Sequence, residues 1–138
     1  MSEIKGNSEY GTETLEIISD ARNFNRWMYE TIKPHCSGEI LEIGSGIGNI
    51  SQFFIEDGAE MSLSDIEENY FPRLKEKFGN QQNLNGIFQL DLSDKNIEQN
   101  HPELIGRFDT IFALNVVEHI PDHEKAMQNA YNLLRNDG

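Results

Sequence analysis

Short apolar runs closed by polar or glycine-rich turns alternate along this chain with longer segments whose apolar positions recur every third or fourth residue. The first long segment covers residues 15–32, where Ile17, Ala21, Phe24, Trp27, Met28 and Thr31 share one side of a helix that Pro34 ends. Residues 1–14 ahead of it are polar and read as a flexible N-terminal segment outside a folded unit of residues 15–138. Four strand-turn-helix units then follow. Residues 39–43 form a strand that runs into glycines, with a helix over 47–56 stopped at Asp57-Gly58. A second strand, 60–64, carries Asp65 at its end and precedes a helix over 67–78, which tolerates Pro72 only in its first turn. A third strand, 86–90, ends at Asp91 and leads to a weaker helical stretch over 93–104. The fourth strand, 108–114, passes through residues 115–122 into a helix with Ala126, Met127, Ala130, Tyr131 and Leu134 on one face.

Strands alternating with helices predict an α/β fold: a Rossmann-like, doubly wound parallel sheet with helices on both faces, cut short after its fourth strand-helix unit. The fourth strand is apolar on both faces, as central strands are, yet it would lie at an edge with unpaired amides and carbonyls. That edge calls for a partner, either a second copy of the chain or the remainder of the same protein, since Asn136-Asp137-Gly138 reads as a turn toward a fifth strand.

Composition narrows the functional classes. Eleven basic against 24 acidic residues leave a formal charge of −13 among 138 residues, which repels a phosphate backbone, and the basic side chains are scattered, so nucleic acid is not an expected partner. Cys36 is the single cysteine, read as a buried structural thiol in a reducing, cytoplasmic compartment. No apolar run is long enough for a transmembrane segment.

In open parallel sheets, ligands sit beyond the carboxyl ends of the strands, and there the residues are distinctive. Glu42-Ile43-Gly44-Ser45-Gly46-Ile47-Gly48 is a turn that lets backbone approach a ligand closely. Asp65, ending the next strand, is placed to accept hydrogen bonds from both hydroxyls of a ribose, or to cap the helix after it. A dinucleotide fingerprint wants glycine or alanine three places after Gly46, but Asn49 stands there and Gly48 comes one place early. An NAD-dependent oxidoreductase is therefore the weaker alternative. Glu42 would sit poorly beside a pyrophosphate and well beside an ammonium and a sulfonium, which favours S-adenosylmethionine. A non-catalytic nucleoside-binding or assembly module on the same fold is the third reading.

These residues resemble the class I S-adenosylmethionine-dependent methyltransferases, from the first strand to the last residue. The resemblance implies that Glu42, Gly44, Ser45, Gly46 and Gly48 hold the methionine end of the cofactor, that Asp65 binds the ribose and that Ile66 covers the adenine. It implies further that Asp91 meets the adenine amino group, that Leu92 offers its backbone amide to the ring, and that the Asn115 carbonyl lies near the methionine amino group. The segment Asn115-Val116-Val117-Glu118-His119 is similar to the branch that methylates small molecules and lipid-linked or sugar acceptors. His119 reads either as a catalytic base for a hydroxyl acceptor or as a structural histidine. His35, His101 and His123 have no spacing that makes a shared metal site with it, so no metal is expected. Trp27 and Tyr29 read either as a lid on the cofactor or as core.

Overall fold

The computed structural model describes residues 2–114 and 116–137, with side chains from Glu16 onward. Strands β1 (Glu39–Ile43), β2 (Glu60–Asp65), β3 (Leu84–Gln89) and β4 (Thr110–Ala113) make one parallel sheet in the order β3-β2-β1-β4. The helices are α1 (Ser2–Ile32), α2 (Ser51–Glu56), α3 (Phe71–Phe78), α4 (Ile97–Asn100) and α5 (His123–Leu133).

The order of the strands explains why both faces are covered. The chain winds outward from β1 through β2 to β3, then returns across β1 to lay down β4, and crossovers of one hand place the two halves of that path on opposite faces. One core layer joins Tyr29 of α1, Phe53 and Phe54 of α2, and Leu74 and Phe78 of α3 to Ile40, Met61 and Leu63. The other joins Ile97 of α4 and Ala126 and Leu133 of α5 to Leu41, Ile43 and Phe108. Alternate residues of β1 thus serve opposite layers, and Glu42 is the one charged side chain in a strand otherwise apolar after its first residue. The predicted Rossmann-like α/β architecture is what the structure shows.

Several boundaries differ from the pattern-based expectation. Helix α1 begins at Ser2 rather than at residue 15, and its expected apolar face is largely exposed: Ile17, Ala21, Phe24 and Trp27 face solvent, whereas Tyr29 enters the core between Phe53 and Phe54. Helix α2 starts at Ser51, not at residue 47, because Gly48 sits at φ 84°, outside helical space. On α5 Ala126 is buried and Ala130 packs against the same layer, as expected, but the other buried positions are Asn129 and Leu133, while Met127 and Tyr131 point outward. Cys36 is half-buried, its Sγ donating to the Ile32 carbonyl at 3.4 Å, and burial pushes the thiol up from its ordinary pKa.

Strand β4 is at the edge of the sheet, as expected, and its residues are only half-buried. It is shorter than the predicted 108–114. Phe108 instead makes an isolated parallel bridge to Leu134: its amide donates to the Leu133 carbonyl at 3.0 Å, and the Arg135 amide donates back to its carbonyl at 2.8 Å. Leu134 has left the helix for extended backbone (ψ 148°), so the expected place for it on the helix face is corrected. At the opposite end of the sheet from the candidate site, Asp109 accepts from the Glu39 amide at 2.8 Å and from Arg135 at 2.6 Å, tying β1, β4 and the segment after α5 together.

Asn129 is the polar exception in the second layer. Fully buried on α5, it donates to the carbonyls of Leu92 at 2.7 Å and Asp94 at 2.8 Å and so pins the loop that follows β3. Removing it strands two carbonyls beneath the helix. Asn129→Ala is expected to lower unfolding stability by about 2 kcal/mol, read by chemical denaturation; a change within error would show that water replaces both bonds.

Candidate functional site

After Ile43 the backbone passes through three left-handed glycines, at φ 74° (Gly44), 55° (Gly46) and 84° (Gly48), a region that side chains with a Cβ resist. Their surroundings assign them different work. A Cβ on Gly44 would lie 2.3 Å from Val116 Cγ2, and one on Gly48 would lie 2.6 Å from Phe78 Cε2, so both permit close packing. A Cβ on Gly46 would meet nothing within 4 Å. Gly46 therefore leaves open space where a ligand can approach the backbone.

Asp65 holds this turn in place. One carboxylate oxygen accepts from the Gly46 amide at 2.9 Å and the other from the Glu67 amide at 2.9 Å, so a residue at the end of β2 fixes both its own exit turn and the loop of the neighbouring strand. Serines complete the link. Ser45 donates its amide to the Ser64 carbonyl at 2.8 Å, the Ser64 amide donates to Ser45 Oγ at 3.2 Å, and Ser64 Oγ donates to the Glu42 carbonyl at 2.7 Å. Glu42 itself is 4% exposed, and Ser51 at the start of α2 donates a hydrogen bond to its carboxylate. Burial pushes the Glu42 carboxyl up to about 7; the Ser51 and Ser45 hydrogen bonds pull against that shift, and the nearby negative charge of Asp65 adds to it.

Two cavities open over the strand ends and share Gly44, Gly46, Tyr70 and Leu114. The first, about 390 Å³, lies over Glu42 and Ser45 and is walled by Phe24, Asn25 and Met28 of α1. The second, about 450 Å³, lies over Asp65, Ile66, Asp91 and Leu92, with His119 and Ile120 on its far side. Both fall at the point where the strand order reverses, the place ligands favour in such sheets.

The structure brings together most of the candidate residues: Glu42, Gly44, Ser45 and Gly46 at the first cavity, and Asp65, Ile66, Asp91, Leu92 and His119 at the second. Gly48 is not among the lining residues of either; it packs on Phe78 and Leu74. Asn115 lies outside the described residues. Asp91 accepts from the Ser93 amide at 2.9 Å and hydroxyl at 2.7 Å through one oxygen, well ahead of α4, which starts at Ile97. The His119 ring is 78% exposed and stands 3.8 Å from Glu118 Oε1. Trp27 lines neither cavity, and Tyr29 is core. Among the described residues no three His, Cys, Asp or Glu side chains gather to hold a metal, and no helix is long and apolar enough to cross a membrane.

Pattern reading missed Ser51, Tyr70 and the α1 wall. Ser51 gives the one signal that was available, a helix-start serine just past the glycines, whereas Tyr70 and Asn25 look like ordinary polar surface in one dimension.

A parallel sheet wound in both directions, with a glycine turn after β1, a carboxylate at the end of β2 and a two-part cavity above the reversal of strand order, defines a ligand-binding Rossmann-like α/β domain. The chain belongs to the methyltransferase-domain family, whose model matches residues 41–138. It is 30% identical over 135 residues to "Lovastatin nonaketide synthase mokA" of Monascus pilosus, covering 95% of this chain and 4% of that protein. It is 27% identical over 119 residues to "Ubiquinone biosynthesis O-methyltransferase" of Xanthomonas euvesicatoria pv. vesicatoria (strain 85-10), covering 86% and 48% of the two. Among solved structures, the trans-methyltransferase CalH in complex with SAH superposes with a TM-score of 0.63 at 26% identity, over 85% of this chain and 34% of that one. The chain thus spans less than half the length of each of these three relatives.

The contrast between two glycines tests the site. Gly46→Ala is expected to keep the fold, with about 1 kcal/mol of backbone strain, and to cut nucleoside-cofactor affinity at least tenfold. Gly48→Ala is expected to do the reverse, lowering the melting temperature through its clash with Phe78. Thermal melts and calorimetry on both variants check this, and equal effects would contradict it.

Proposed function

We propose that this chain binds S-adenosylmethionine and forms the cofactor-holding part of a methyltransferase that acts on a small-molecule, lipid-linked or sugar acceptor, with residues 15–138 as that partial domain and residues 1–14 outside it. One observation carries the reading. Gly46 opens into both cavities, with the Asp65 carboxylate on one side of it and the buried Glu42 carboxyl on the other. A ligand threaded past Gly46 sets a ribose against Asp65 and a cationic amino-acid tail against Glu42.

The residues fit that group. Asp65, although engaged by two amides, keeps lone pairs for ribose hydroxyls, and Ile66, Asp91 and Leu92 surround the space beyond for an adenine. Gly44, Ser45 and Gly46 present backbone to the methionine chain. When bound, the cofactor supplies an electrophilic methyl group on a sulfonium. The protein's own share is to orient that group, keep water from it and align an acceptor. Among the described residues no Lys or Arg lines either cavity, and α2 begins only at Ser51, so a pyrophosphate would find no counter-charge. This disfavours a dinucleotide.

The names of the relatives, polyketide synthases and an O-methyltransferase of ubiquinone biosynthesis, support a small-molecule acceptor. His119 is our candidate catalytic base: its largely exposed ring lines the second cavity, 3.8 Å from Glu118 Oε1, and an imidazole nitrogen can take the proton that a hydroxyl acceptor loses as it is methylated. The lone thiol fits a cytoplasmic setting, the acidic surface argues against nucleic acid, and the free part of the β4 edge is where a second copy or the rest of a longer protein would pair.

Calorimetry tests the cofactor. S-adenosylmethionine and S-adenosylhomocysteine are expected to bind and NAD is not, and Asp65→Ala is expected to weaken the former at least tenfold while circular dichroism shows the fold retained. NAD binding with no response to S-adenosylhomocysteine would overturn the proposal. For the base, His119→Ala in the full-length protein is expected to lower kcat about a hundredfold at near-constant cofactor affinity; an unchanged kcat would remove His119 from the mechanism.

A further inference from the structure

Ser51 has no part in the cofactor contacts proposed above, yet it is completely buried and spends its hydroxyl on Glu42. It is the first residue of α2, with no side chain capping the helix, so its position is not explained by a capping role. The hydrogen bond spans from α2 to the middle of the sheet and fixes which way the Glu42 carboxyl turns. The side chain so held borders the first cavity, beneath Gly44 and Gly46 and across from Asn25 and Met28.

The surroundings of Glu42 leave its charge unbalanced. Ser45 acts on it from the glycine loop and Ser51 from α2, while Asn25 and Met28 of α1 and Tyr70 of the turn before α3 line the same cavity. Its sheet neighbours in register are Leu63 on β2 and Phe112 on β4. The charged group acting on it is Asp65, of like sign. A carboxyl buried among neutral groups and near another carboxylate keeps its proton to higher pH than a free one does, and an arriving cation reverses that preference.

We propose that Ser51 is a positioning residue that aims Glu42 at the cationic end of the cofactor, so that capture of that end expels the carboxyl proton to solvent. The Glu42 O–H bond breaks, the proton passes to the buffer through the open cavity, and the carboxylate left behind faces the ligand ammonium. This deepens the S-adenosylmethionine reading and rests on it. Because the carboxyl is pushed up to about 7 in the free protein, proton release is near one per ligand at pH 6 and vanishes by pH 8.5. Affinity correspondingly rises about tenfold from pH 6 to pH 8 and then levels.

The test is calorimetry of S-adenosylhomocysteine binding in pairs of buffers with different ionisation enthalpies, from pH 6 to 8.5. 5′-Methylthioadenosine serves as the control, because it keeps the nucleoside and lacks the amino acid. Wild-type protein is expected to release a proton with the first ligand and none with the second. Ser51→Ala, which loses a donor that favours the carboxylate, is expected to bind more weakly at pH 7 and to keep releasing protons at higher pH; Ser51→Thr, which keeps the hydroxyl, is expected to restore the wild-type profile. Glu42→Gln supplies an independent readout should the serine variants misfold, and is expected to bind with no proton release and a flat pH dependence. Binding of S-adenosylhomocysteine without proton release, or a profile that Ser51→Ala does not move, overturns this inference and leaves the cofactor reading standing. No binding of S-adenosylhomocysteine at any pH overturns both.

Discussion

The Asp65 carboxylate joins the ends of two neighbouring strands, and the geometry above the sheet depends on it. Its oxygens hold the Gly46 and Glu67 amides, so the glycine loop of β1 and the exit from β2 cannot move independently. A loop with three left-handed glycines has more conformational entropy to lose than an ordinary turn. Charge-assisted bonds from a buried carboxylate offset that loss, and they do so from inside the cavity wall. The same side chain that orders the turn also lines the second cavity, whereas of the two glycines Gly48 is packed and Gly46 is open.

Two carboxyls then border the cavities. Asp65 has an amide on each of its oxygens, whereas Glu42 has hydroxyl donors and burial working against each other. Below them the alternation of β1 sends Ile40 to one layer and Leu41 and Ile43 to the other, so the buried Glu42 is carried on a strand braced from both faces. The ion pairs of Asp109 and Arg135 lie at the far end of the sheet and stabilise it without entering the site.

Much of this was legible in one dimension, and the failures have physical causes. Strand β1 stood out as a short, mostly apolar run into glycines, β2 by the alternation Met61-Ser62-Leu63-Ser64, and Asp65 because it closes β2. The start of α2 did not, since nothing local in Ile47-Gly48-Asn49 reveals that Gly48 must pack on Phe78 in a left-handed conformation. The outward face of α1 was misjudged because apolar spacing tells which residues share a face, not whether anything covers it. In α5 the buried Asn129 was invisible for a related reason: a polar residue satisfied by the Leu92 and Asp94 carbonyls occupies a core position that a hydropathy pattern assigns to its neighbours. At the site, the glycines and acids were readable by type, while Ser51, Tyr70 and Asn25 owe their importance to tertiary placement alone.

Amide-resolved NMR of the free and S-adenosylhomocysteine-bound protein addresses the central claim directly, because it reports each backbone position in one titration. The account predicts large shifts at Gly44, Ser45, Gly46, Asp65, Ile66 and Leu92, with Gly38, Glu39 and Asp109 at the opposite end of the sheet unmoved. Shifts confined to the outer faces of α1 or α5, or none at the glycine turn, would contradict it.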